Sequence, residues 1–185
     1  NLAASVDSSG ITDRLIFLSA GNSSVNLRWW NFEQDQAESV QLPIPAEGLD
    51  GNAVIAAGDI LPERDGLEVY LALLRSGDIY LCCSEGILFE RDLESRIYRP
   101  AVVDINGDRA LDLVVAGEDI IYAISPSGAN LTGWPREIRG LHNFKLREKI
   151  AAPPSAVGSE SGAKVMAITR NGILMTLDHR GDLLG

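Results

Sequence analysis

Apolar and polar residues alternate at a period of two along this chain, in short runs broken by Gly, Asn, Ser and Asp. That period, with enrichment in Val and Ile, predicts β-strands and not helices. Three of the runs superimpose without gaps: Gly77-Asp-Ile-Tyr-Leu-Cys-Cys-Ser-Glu-Gly86, Asp119-Ile-Ile-Tyr-Ala-Ile-Ser-Pro-Ser-Gly128 and Gly172-Ile-Leu-Met-Thr-Leu-Asp-His-Arg-Gly181. Each ends in a polar turn. A second apolar run precedes each of them, at residues 67–74, 113–116 and 165–169. A third, richer in Ala and Val, lies before that, at 53–57, 101–103 and 151–157. The first quarter follows the scheme more loosely, with runs at 3–6, 15–20 and 25–32. Outer, fourth strands are expected near Val40, at 87–90 and at 131–134, and in the last copy from Asp182 onward. The one helical stretch expected is short, residues 144–150.

Copies recurring at about 45 to 55 residues match four-stranded propeller blades. The expectation is therefore an all-β, β-propeller-type fold of about four blade-like four-stranded repeats, complete or part of a larger ring. The 185 residues form one module with repeats at 1–50, 51–98, 99–149 and 150–185. A β-sandwich or stacked meanders would suit the same strand spacing. Equivalent turns at one position in three copies favour the propeller.

Between two apolar runs lies Asp104-Ile-Asn-Gly-Asp-Arg-Ala-Leu-Asp112. Short oxygen-bearing side chains at alternate positions can converge on one hard cation. Asp104, Asn106, Asp108 and Asp112, with the backbone carbonyl of Ala110, supply five or six oxygens, a number that suits Ca²⁺ better than Mg²⁺. An EF-hand is disfavoured, because Val115 stands where that loop needs Glu and the flanks read as strands. A plain inter-strand turn is the other reading, since Asn and Asp cap their own backbone and Gly107 accepts positive φ.

This segment resembles the FG-GAP (integrin-α-like, VCBS-type) repeats, whose blades carry calcium loops of the form Asp-x-Asn-Gly-Asp-Gly-x-x-Asp. The resemblance implies a calcium-stabilised propeller held by Asp104, Asn106, Asp108, the Ala110 carbonyl and Asp112. It also implies a non-catalytic binding or scaffolding role toward a protein or carbohydrate, and an extracellular, periplasmic or cell-surface location. The Ca²⁺ would be structural. Arg109 departs from the pattern, standing where the family has Gly; positive φ there would cost roughly 1 kcal/mol. The other copies carry poorer ligand sets: Asp7 and Asp13 in the first, Asp59, Asp65 and Glu68 in the second, and 158–164 in the fourth. Residues 121–134 also resemble the blade ends of pyrroloquinoline-quinone-type repeats, which gives an alternative propeller scaffold.

Net charge is −10, and residues 1–68 hold eleven acids against three Arg and no Lys. Phosphates would be repelled, so duplex nucleic acid and an anionic membrane are expected to be poor partners, and no nucleic-acid partner is expected. No apolar run is long enough for a transmembrane segment. The chain opens on Asn1 with neither Met nor a charged-then-apolar leader, so any targeting segment is expected to be removed or to lie outside these residues.

One basic island interrupts the acidity: Arg136, Arg139, Lys145, Arg147 and Lys149 against Glu137 and Glu148. It reads as a solvated loop paired with neighbouring acids, or as a docking site for an acidic peptide or glycan. Arg180-Gly181-Asp182 spells an adhesion tripeptide but occupies a turn the repeat needs anyway. Asn22-Ser-Ser24 and Asn130-Leu-Thr132 match the glycosylation sequon. One of Trp29 and Trp30 should point inward, and Trp134 should anchor a strand end. Cys82 and Cys83 are expected as free thiols, one of them buried, with a strained vicinal disulfide as the alternative. His142 and His179 fall in unrelated repeat positions, with no nucleophile motif beside them. Abundant carboxylates leave a carbohydrate-acting hydrolase with paired acids as a third reading.

Overall fold

The computed structural model describes the chain apart from residues 1, 7–11, 21–23, 45–52, 59, 62, 65–66, 74–76, 141–147 and 159–161. Among the described residues there are fifteen strands, and every pairing given below is antiparallel. The chain divides into two compact units, Asn1–Leu93 and Glu94–Gly185.

The first unit holds two four-stranded sheets. β1 (Leu2–Val6), β2 (Thr12–Ala20), β3 (Val25–Asn31) and β4 (Gln36–Leu42) pair in chain order. β5 (Ala53–Gly58), β6 (Glu68–Leu73), β7 (Asp78–Cys83) and β8 (Gly86–Asp92) do the same. Antiparallel neighbours joined in sequence need only short turns, which is why the polar punctuation falls where it does. Alternation appears directly in β3, where Val25, Leu27 and Trp29 are buried and Arg28 and Trp30 are exposed. Trp29 is thus the inward member of the tryptophan pair. Every residue of β6 is buried, as expected of an inner strand covered on both faces. Ile16, Leu27, Trp29, Leu42, Val69, Leu71, Tyr80 and Cys82 share one core cluster. Both cysteines are free thiols and both are buried, one more than expected, because neither face of β7 is open to solvent.

The second unit holds β9 (Ala101–Val103), β10 (Asp112–Ala116), β11 (Ile120–Ile124) and β12 (Arg136–Glu137), again in chain order. A three-stranded sheet follows: β13 (Ser155–Val157), β14 (Lys164–Ile168) and β15 (Leu174–Leu177). Ile105, Val114, Ile121, Ala123, Trp134, Val165, Met175 and Leu177 lie in its core cluster.

Two expected elements differ. The outer strand of the third copy is β12 at 136–137, not 131–134. Residues 131–134 instead turn, with Trp134 N–H donating to the Leu131 carbonyl (3.0 Å), and place a buried Trp134 ahead of the strand. Of the expected helix, residues 144–147 lie outside the described residues; Glu148 and Lys149 are irregular, and Ile150 bridges to Thr169. In the last copy, residues 183–185 fold back on β15 through a Leu177–Leu183 bridge and a Thr176 N–H bond to the Gly185 carbonyl (2.6 Å).

The turns after β11 and β15 use the same bonds. Ser125 N–H donates to Ala129 O (2.8 Å) and Asp178 N–H to Asp182 O (2.9 Å). Gly128 N–H closes on Ser125 O and Gly181 N–H on Asp178 O, each at 2.9 Å. Both glycines have positive φ, 83° and 76°, the region a side chain disfavours.

Candidate functional site

The loop between β9 and β10 is anchored where Asp112 pairs with Val103. Its carboxylates fold onto its own amides. Asp104 Oδ1 accepts from Gly107 N–H (2.7 Å) and Oδ2 from Arg109 N–H (2.9 Å). Asn106 Oδ1 accepts from Asp108 N–H (3.0 Å), and its amide donates to Asp108 Oδ2 (2.8 Å). Asp108 Oδ1 accepts from Ala110 N–H (2.8 Å). Positive φ is required at Gly107 (82°) and also at Arg109 (74°), so Arg109 does occupy a backbone well that favours glycine.

Asp112 is different in kind. It is fully buried, and Oδ2 accepts from Ile105 N–H (2.9 Å), while Oδ1 has no partner among the described residues. Burial pushes its carboxyl up to about 7, and the nearby charges of Asp108 and Asp104 add to this against the opposing backbone hydrogen bonds. A buried, unpartnered carboxylate oxygen beside two more carboxylates is what a cation would relieve. Each bonded oxygen keeps a further lone pair for a metal. Among the described residues, however, no three His, Cys, Asp or Glu side chains already stand as a metal-holding group. The donor chemistry fits Ca²⁺, and the hydrogen-bonded arrangement is that of a self-capped turn.

Asn106 also lines an open depression of about 480 Å³ with Asn130, Leu131, Thr132, His179 and Arg180. Three elements bring these together: the β9–β10 loop, the turn after β11 and the turn after β15. The last two are clamped to each other. Trp134 Nε1–H donates to the His179 carbonyl (3.1 Å); Arg136 Nη2 donates to the Arg180 carbonyl (3.1 Å) and to Asp182 Oδ1 (2.8 Å). A Cβ on Gly133 would sit 2.1 Å from the Arg180 carbonyl oxygen, so only glycine permits the approach. Trp134 thus anchors the clamp, and Asp182 of the adhesion-like tripeptide is held in an ion pair.

The described members of the basic island are each paired with an acid. Arg136 meets Asp182, Arg139 meets Asp119 (3.8 Å), and Lys149 meets Glu118, which Arg170 also approaches (3.7 Å). The hydrogen bond and charge of Lys149 hold the Glu118 carboxyl below its ordinary range. Lys145 and Arg147 lie outside the described residues, as do His142, Asp7, Asp59 and Asp65. The side chains around the depression are visible in the sequence only as a sequon, a lone His and a tripeptide. Superimposing the turns of successive copies, and not reading each motif alone, is the signal that would join them.

Consecutive antiparallel sheets, each built from one stretch of chain, with turns repeating at equivalent positions, define a fold of the β-propeller type. Two crystal structures of BBS1N in complex with ARL6DN are similar to it. The crystal soaked with lead gives a TM-score of 0.59 at 18% identity over 92% of this chain and 47% of that one. The crystal soaked with mercury gives 0.58 at 19% identity over 92% and 46%. The V. cholerae biofilm matrix protein Bap1 is a more distant likeness, with a TM-score of 0.43, 12% identity, 99% of this chain and 39% of that one. The chain therefore spans less than half the length of these structures. No protein-family profile matches the sequence, and no curated protein does.

Proposed function

We propose that this chain is a non-catalytic binding module that recognises a protein partner, and that its 104–112 loop takes up a structural Ca²⁺. The observation that carries the first part is the fold. A propeller-type arrangement presents turns from successive sheets, and BBS1N, which shares it over 92% of this chain, was crystallised in complex with ARL6DN. For the second part the support is the unpartnered Asp112 Oδ1 inside a loop of oxygen donors. Asp104, Asn106, Asp108, the Ala110 carbonyl and Asp112 would hold the ion, which would neutralise clustered carboxylates and stiffen the loop. The same motif is the basis for proposing kinship with the FG-GAP repeats and an exported location.

The module is tested with photo-crosslinking residues at the exposed turn positions Ser84 and Ser127 in the source cells. Discrete protein adducts are expected. Absence of adducts from both turns, or turnover of a glycoside by the purified chain, would overturn the reading. Calorimetry with Ca²⁺ tests the loop separately.

A further inference from the structure

The depression beside the loop has a chemistry of its own. Asn130, Thr132, His179 and Arg180 place an amide, a hydroxyl, an imidazole and a guanidinium around one space of about 480 Å³. That volume falls in the range of ligand pockets. No side-chain partner for any of the four occurs among the described residues. Arg136, Arg139, Lys149 and Arg170 of the second unit all have carboxylate partners, and Arg180 has none among the described residues. No carboxylate lines the space among the described residues, although the chain carries a net charge of −10. The described acids near the lining residues in sequence all have hydrogen-bond partners: Asp104 and Asp108 accept from amides of their own loop, and Asp108 also from the Asn106 side chain. Asp178 Oδ1 accepts from Arg180 N–H (2.8 Å) and Asp182 N–H (2.9 Å), and Asp182 is paired with Arg136. The Arg180 backbone is fixed at both ends by these bonds and by Arg136, so its side chain is free while its origin is held.

We propose that this depression binds the carboxylate side chain of an acidic peptide segment on the partner protein. A guanidinium fork matches a carboxylate bidentately, and the amide and hydroxyl can serve the peptide backbone beside it. Leu131 gives the aliphatic stem of a Glu a surface to lie on. A sugar acid fits less well, because among the described lining residues the imidazole of His179 is the single aromatic ring and no Trp, Tyr or Phe offers a face for a pyranose. The inference rests on the protein-binding reading and names the partner chemistry for that module.

The test uses the full chain and fluorescein-labelled peptides that present one Glu, or one Gln, between Gly-Ser flanks, followed by anisotropy at low salt in Ca²⁺ and again in chelator. The Glu peptide is expected to bind at least tenfold tighter than the Gln peptide. Arg180→Gln should erase that preference, Thr132→Val should weaken binding about threefold, and neither should move the melting temperature. Equal binding of the two peptides, or no binding at millimolar concentration, overturns the pocket. Displacement of the Glu peptide by oligogalacturonate at lower concentration overturns the peptide in favour of a glycan. Adducts from Ser84 and Ser127 that persist alongside a failed peptide test leave the module reading standing, so the two failures are distinguishable.

Discussion

The substitution Asp112→Asn isolates the effect of one buried carboxyl. In metal-free wild type the group is fully buried and its pKa is raised from 3.8 to about 7. The folded state therefore binds this proton more tightly than the unfolded chain. Between pH 4 and 7 the native protein keeps a proton that the unfolded chain has lost, so stability falls as pH rises through that window and levels off above it. The whole excursion is at most about 4 kcal/mol. The amide of the Asp112→Asn variant cannot ionise, and its oxygen can still accept from Ile105 N–H, so that slope should vanish. An unpartnered amide N–H₂ at the former Oδ1 costs about 1–3 kcal/mol, which makes the pH slope a better readout than absolute stability. Ca²⁺ at a hundred times its Kd should add about 2.7 kcal/mol to wild type. For a chain of this size that is roughly 5–10 °C in Tm. The variant should gain little. Urea titrations at pH 5, 7 and 8.5, with chelator and with Ca²⁺, measure all of this. Parallel pH profiles for the two proteins in chelator would refute the burial argument, and equal Ca²⁺ shifts would refute Asp112 as a ligand.

Arg109→Gly should stabilise the metal-free chain by about 0.5–1 kcal/mol, because the backbone is already at φ 74° and keeps its bond to Asp104. Ca²⁺ affinity by calorimetry should rise with it, as a cation beside the loop is removed. Gly133→Ala should cost roughly 2–4 kcal/mol in chemical denaturation, since the new methyl meets a backbone oxygen that cannot swing away. Neither thiol should react with Ellman's reagent before unfolding: Cys82 is fully buried, and burial with the neighbouring Cys83 pushes its thiol up to about 12.

Strands are legible wherever a side-chain period of two meets a polar turn. The apolar runs at 101–103, 113–116 and 120–124 fold as β9 to β11, and the turn glycines at 128 and 181 mark where pairing reverses. The outer strand of the third copy differs from expectation because Leu131 and Trp134 look like strand residues. Their apolar surface is used to pack a turn against the next copy, and periodicity does not distinguish the two uses. The loop's ligand set is legible as spacing and its self-capping as a run of Asp and Asn around Gly107, but which amide each oxygen takes is set by the folded backbone. The depression is legible only by superimposing the turns of successive copies, since its lining comes from turns that become neighbours after the sheets form.

Ser125-Pro-Ser-Gly128 and Asp178-His-Arg-Gly181 trace one backbone path with unlike middle residues. The architecture asks for the closing glycine and for a short polar side chain at the first position that bonds within the turn, so the two central positions are writable. A cassette exchange that put Pro-Ser in place of His179-Arg180 would keep the hairpin and erase its chemistry. In a chain of this kind, new affinities can be acquired by rewriting two letters, with the scaffold left indifferent to the edit.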